Sequence, residues 1–98
     1  MAEAALRLDL FLWFARLVRT RAAAQAIANE GHVRISGRAV ARAHAPVRSG
    51  DVLSLPLHGR VRVLRVEMLP ARRVPAREAG RLYTDLAPEP LTGTLARD

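Results

Sequence analysis

The chain has 98 residues, 50% of them hydrophobic, a formal net charge of +7 and no cysteine. That composition describes one small folded domain and excludes a disulfide framework, a thiolate metal site and a cysteine nucleophile. No apolar run approaches the roughly 18 residues of a membrane-spanning helix, and no signal peptide is legible at the N-terminus, so a cytoplasmic protein that does not span a membrane is expected.

In chain order, residues 1–6 read as a loose arm. Leu8, Phe11, Leu12 and Ala15 then follow helical spacing, and Leu10, Trp13, Phe14 and Leu17 add a second apolar stripe. The resulting helix is apolar almost all round, with Asp9 and Arg16 on one narrow polar line. Thr20 reads as the N-cap of a second helix rich in alanine, with Arg21, Gln25 and Asn29 as its polar stripe and Gly31 as its left-handed end. The expectation over residues 8–30 is therefore two helices joined by a tight turn near Arg19.

After Gly31 the period changes to two. Val33 and Ile35 mark a strand, Ser36-Gly37 a turn, and Arg38 to Ala41 a short second strand. Arg48-Ser49-Gly50-Asp51 turns into a strand over 52–57, and His58-Gly59 makes a hairpin to a longer strand reaching Met68. Pro70 and Pro75 bracket an irregular loop. Residues 78–86 read as a short third helix, and 87–98 as a disordered tail. The fold expected is α+β: two N-terminal helices packed on a small, mostly antiparallel sheet of about four strands, with a short C-terminal helix.

All sixteen basic residues are arginine, a bias that codon usage alone produces, but the excess of positive charge favours a polyanionic partner. It is concentrated in residues 1–77, while residues 78–98 are net acidic. Catalysis finds little support. The acids are scattered, the serines lack a nucleophile context, and His32, His44 and His58 have no metal-ligand spacing, which leaves them as surface histidines. No catalytic residue, metal or cofactor is expected.

Arg16, Arg19 and Arg21 crowd the junction of the two helices, where free backbone N–H groups, the helix dipole and the Thr20 hydroxyl suit a phosphate. Arg34 and Arg38 join that face if the hairpin folds back on the second helix. For Arg60, Arg62 and Arg65, and for Arg72, Arg73 and Arg77, a solvated edge and an RNA contact weigh equally. Trp13, at helical spacing with Leu10 and Leu17, reads as core ahead of a base-stacking platform.

The series Arg7-Leu8-Asp9, Phe11-Leu12, Arg16, Thr20-Arg21, Ala24, Ile27, Gly31-His32-Val33, Ile35-Ser36-Gly37 and Val47-Arg48-Ser49-Gly50-Asp51 resembles the alpha-L RNA-binding domain, named for a protein of the small ribosomal subunit, over about residues 7–55. Trp13 after Leu12, the Arg72-Arg73-Val74-Pro75 loop, Glu78-Ala79 and Leu82-Tyr83 extend the resemblance to about residue 86. There it is similar to the stand-alone bacterial members that include the fifteen-kilodalton heat-shock protein and RNA-binding proteins of ribosome-associated quality control. Ser36 stands where Asn is usual, Leu10 where a basic residue is common, and Gln25 in place of a frequent basic residue; the heat-shock protein's long basic C-terminal extension has no counterpart.

The resemblance implies that Arg7, Arg16, Thr20, Arg21 and Arg34 face ribosomal RNA or tRNA, on a large ribosomal subunit left holding a peptidyl-tRNA. With the residues read directly, the candidate RNA contacts are Arg7, Arg16, Arg19, Thr20, Arg21, Gln25, His32, Arg34, Ser36 and Arg38, with Arg42, Arg72 and Arg73 as secondary contacts. The protein is expected to be a monomer when free. Other readings are a factor for ribosome assembly or another structured RNA, and a protein–protein adaptor whose charge only solubilises it. A pseudouridine synthase, to which such domains are often fused, would need a catalytic domain for which this sequence has no room.

Overall fold

The structure is a computed structural model, and it describes residues 4–86. The strands are β1 (Leu6–Arg7), β2 (Val33–Ile35), β3 (Arg38–Val40), β4 (Pro46–Val47), β5 (Val52–Leu57), β6 (Arg60–Val66) and β7 (Tyr83–Asp85); the helices are α1 (Leu8–Phe14), α2 (Arg21–Asn29) and α3 (Ala76–Ala79). Five strands form one antiparallel sheet in the order β3-β2-β5-β6-β7, and β1 pairs separately with β4. The expected class, helices with a mostly antiparallel sheet, holds.

One core joins the two layers. Leu8, Phe11 and Leu12 of α1, Ala24 and Ala28 of α2, and Val33, Leu53, Leu55, Leu64 and Val66 of the sheet are all fully buried. β5 shows the alternation that sends Leu53, Leu55 and Leu57 inward and Val52, Ser54 and Pro56 the other way. At the start of α1, where a helix has no internal acceptors for its first amides, Leu8 N donates to Ala45 O at 2.8 Å and Asp9 N to Ala43 O at 3.0 Å. The segment carrying β4 is thereby strapped across that helix end.

The hairpin turns were legible. Ser36 (φ 50°) and Gly37 (φ 86°) both adopt the left-handed conformation that a two-residue turn of type I′ requires. Serine is an unusual occupant of the first position. Its hydroxyl donates to Asp51 Oδ1 at 2.8 Å and accepts from Val52 N at 3.3 Å, which ties the turn to the next strand.

Four expectations need correction. First, the loose arm does not extend to residue 6: Leu6 pairs with Val47. Second, α1 stops at Phe14, and six residues rather than a tight turn precede α2. The helix ends in a Schellman arrangement, with Leu17 N donating to Leu12 O (3.0 Å), Arg16 N to Trp13 O (3.1 Å), and Arg16 itself left-handed at φ 61°. Glycine is the usual residue there, so an arginine gave no warning of the stop.

Third, the short helix near the end spans only Ala76–Ala79, and Tyr83–Asp85 is a fifth strand of the main sheet. The outer edge of β6 needs backbone partners, and Val66↔Tyr83 and Leu64↔Asp85 supply them, overriding local helical propensity. Fourth, β6 ends at Val66, two residues before the expected boundary. The tail expected over 87–98 lies outside the described residues.

Among the described residues no helix is long and apolar enough to cross a membrane.

Candidate nucleic-acid interface

The candidate residues separate into three groups. The first surrounds a buried carboxylate. Asp9 is 0% exposed, and it accepts a two-pronged contact from Arg7, Nε to Oδ1 at 3.0 Å and Nη2 to Oδ2 at 2.9 Å. Gln25 Nε2 reaches the same Oδ2 at 3.3 Å from α2, and Leu10 N donates to Oδ1 at 2.8 Å. Burial pushes the Asp9 carboxyl up, but the Arg7 and Gln25 hydrogen bonds, the Arg7 charge and the Leu10 amide outweigh it and hold the group below the ordinary carboxylate range.

Arg7 remains 44% exposed in its side chain, so its guanidinium is fixed on one edge and open to solvent on the other. The polar stripe of α2 faces this hub. Asn29 Oδ1 accepts from Ala43 N at 2.9 Å, Gln25 touches Asp9, and Arg21 lies one turn before Gln25 on the same line of the helix.

Thr20 caps α2 as expected, its Oγ1 accepting from Ala23 N at 3.0 Å. The hydroxyl proton is still available to an acceptor. The helix's own ladder begins with Ala24 N to Thr20 O, which leaves the Arg21 and Ala22 amides ahead of it, beside the exposed Arg19 and Arg21 side chains. Arg42 is exposed next to Ala43, the residue whose carbonyl meets the α1 terminus. Arg7 and Arg42 thus lie by the start of α1, and Arg19, Thr20 and Arg21 at the start of α2, one turn from the Gln25 that reaches Asp9. Replacing Thr20 by alanine is expected to cost about 1 kcal/mol, lowering the melting temperature by about 5 °C in a thermal denaturation curve.

The second group lies at the other end of α1. Arg16 Nε donates to Val74 O at 2.7 Å, Arg73 Nε to Trp13 O at 3.2 Å, and Val74 N to Phe14 O at 3.2 Å. Arg73 also sits over the Trp13 ring, 5.6 Å from its centroid. Arg16 therefore does not share a surface line with Asp9, as helical spacing implied. The left-handed turn swings it out to clasp the 70–75 loop, and Arg72 is exposed on that loop. Trp13 is half-buried against the core, in keeping with a packing role.

The third group belongs to the sheet. Arg34 is opposite Ser54 in register, on the face turned away from Val33 and Leu53, so His32 and Arg34 stand on the outer face rather than with the helix junction. The Ser36 hydroxyl is committed to Asp51, and Gln25 to Asp9; both position neighbours. Arg38 is exposed beside a cleft that Arg48 also lines.

Among the remaining cations, Arg62 pairs with Asp85 across the β6–β7 edge at 2.6 Å, and Arg65 with Glu67, just past the end of β6, at 2.9 Å. For these two the structural reading prevails. Asp9 is the residue that sequence reasoning passed over as a helix-dipole partner. Its signal was an acid inside an otherwise apolar helix, two residues after an arginine. Among the described residues no cluster of three His, Asp or Glu side chains suits a metal ion.

Comparison with known proteins agrees with the fold. Residues 6–53 match the S4 domain. The chain is 33% identical over 86 residues to the RQC P-site tRNA stabilizing factor of Bacillus subtilis, covering 88% of this chain and 98% of that protein. It superimposes with a TM-score of 0.78 on Heat Shock Protein 15 of Vibrio cholerae, 30% identical, covering 86% of this chain and 84% of the other, in a structure described as trimeric.

Proposed function

The chain belongs to the S4 domain family, whose alpha-L motif binds RNA, and from that premise we propose that it is a non-catalytic factor for structured ribosomal RNA or tRNA. The observation that carries the reading is the surface at the helix junction. There a buried Asp9 pins Arg7, and the capped start of α2 presents Arg19, Thr20 and Arg21. The fixed Arg7 fork and the α2 amides, with the exposed Arg19 and Arg21 guanidinium groups beside them, suit phosphates set by A-form geometry rather than a base sequence. The Arg16-clasped loop with Arg72 and Arg73 at the other end of α1, Arg34 on the outer face of the sheet and Arg38 beside its cleft are further cationic contacts.

The relative named for stabilising a P-site tRNA in ribosome quality control supports a finer reading. The proposed target is the large ribosomal subunit carrying a stalled nascent chain, with the protein acting in rescue or recycling. The chain works in the cytoplasm and is a monomer when free, in contrast with the trimeric structure of the Vibrio relative.

Gradient sedimentation tests both points. At low salt the protein should co-migrate with large subunits that retain peptidyl-tRNA, more than with empty ones, and be released as salt rises. Free protein should sediment with the mass of one chain. A protein that never travels with large subunits would sink the ribosomal reading while leaving RNA binding to be measured separately.

A further inference from the structure

β5 outruns its partner on one side. Along β5, residues 52 and 54 direct their backbone groups at β2, as the Ser36 N to Val52 O bond of 2.7 Å and the Arg34↔Ser54 pair indicate. The period of two makes residue 56 the next position to donate, and residue 56 is proline, which has no N–H. The β2–β5 ladder ends there, although β5 continues to pair with β6 through Pro56↔Val61 and Leu57↔Arg60. Where the strands part, the outer face of the sheet opens into a trough of about 480 Å³, lined by His32, Arg34, Ser54, Leu55, Pro56 and Val61.

Its chemistry is lopsided. No carboxylate lines it. Arg34 spends Nη1 on Gly37 O at 3.2 Å, and that bond holds the guanidinium at one end. Val61 is 61% exposed, one of two large apolar side chains so placed among the described residues, and it sits directly across from Pro56. A flat apolar floor, an imidazole, a hydroxyl and a cation, without an acid, match the parts of a nucleotide: a base face, a ribose and a phosphate.

We propose that this trough receives an unpaired nucleotide of the bound RNA, with its base over Pro56 and Val61 beside His32, its ribose at Ser54 and its phosphate at Arg34. The inference rests on the RNA-binding reading and adds to it a preference for structured RNA with an extruded nucleotide. The helix-junction surface does not provide that preference.

The test uses two synthetic RNA hairpins, one fully paired and one with a single bulged nucleotide, titrated with the full chain. The unmodified protein should bind the bulged hairpin about tenfold more tightly, the scale of a small apolar patch of base and floor removed from water. Val61→Asp places a repelling charge on an exposed position, and Val61→Ala trims the apolar floor without introducing charge. Each should cut the preference to about twofold or less while leaving affinity for the paired hairpin within about twofold; Val61→Ala keeps the test decisive if Val61→Asp does not fold. Arg19→Ala with Arg21→Ala should instead weaken both hairpins alike and retain the preference. Equal binding of the two hairpins by the unmodified protein, or a preference that survives both trough variants, overturns the proposal, and an extended peptide as the true occupant would give that same pattern. Failure to bind either hairpin is a different result, which refutes the RNA-binding reading itself.

Discussion

Arg19→Ala combined with Arg21→Ala is expected to reduce affinity for structured RNA by about 100-fold. Both side chains are exposed at the capped start of α2, and neither has a hydrogen bond or ion pair to another described residue. A hydrogen bond to a charged group is worth about 1.5 kcal/mol or more, so two lost phosphate contacts come to about 3 kcal/mol, which is two decades in affinity. The slope of log K against log salt should also become shallower by about 1.8, since each phosphate neutralised on duplex RNA or DNA contributes about 0.9. Titration at several salt concentrations reads both quantities, and the melting temperature should stay put because no buried contact is removed. An unchanged affinity with an intact fold would instead favour a protein–protein adaptor.

Asp9→Asn should show the opposite pattern, a large loss of stability. The carboxylate is fully buried, and its oxygens accept from Arg7 twice, from Gln25 and from Leu10 N. Asparagine keeps the size but loses the charge and turns one acceptor into a donor facing other donors. The expected cost is about 2 kcal/mol, or about 10 °C in melting temperature for a domain of this size.

Because the folded-state pKa of Asp9 lies below its ordinary value, the stabilisation is fully present above about pH 4 and is lost as pH falls through the lower, folded value. Melting curves from neutral to acid pH should therefore converge for the two proteins below that range. RNA affinity should also fall several-fold in the variant, because Arg7 is no longer held. A variant that melts with the unmodified protein at neutral pH would show that Asp9 does not organise the junction.

The two variants separate contact from support, a distinction that charge alone hides. Arg16 looked like a member of the phosphate surface, and its Nε is instead bound to Val74 O, where it fixes the Arg72-Arg73 loop. Gln25 and Ser36, candidates for RNA contact, also hydrogen-bond Asp9 and Asp51. A spacing rule reports which side chains share a line on an ideal helix or strand. It does not report which partner each side chain has already taken.

What local chemistry dictates was legible from the sequence. The Thr20 cap, the left-handed Gly31, the Ser36-Gly37 and His58-Gly59 turns, and the alternation of β5 all follow from interactions within a few residues. The cationic character and the family resemblance, carried by residue types at fixed spacing, came from the same source. Tertiary structure decided the rest. The early end of α1 depends on an arginine held left-handed while its side chain reaches 58 residues ahead. The conversion of residues 83–85 from helix to strand depends on the open edge of β6. The buried Asp9 hub and the trough beside Pro56 exist only because segments distant in sequence close on one another. A backbone amide, a carboxylate or a sheet edge takes the partner that folding brings to it, and no window of neighbouring residues contains that partner.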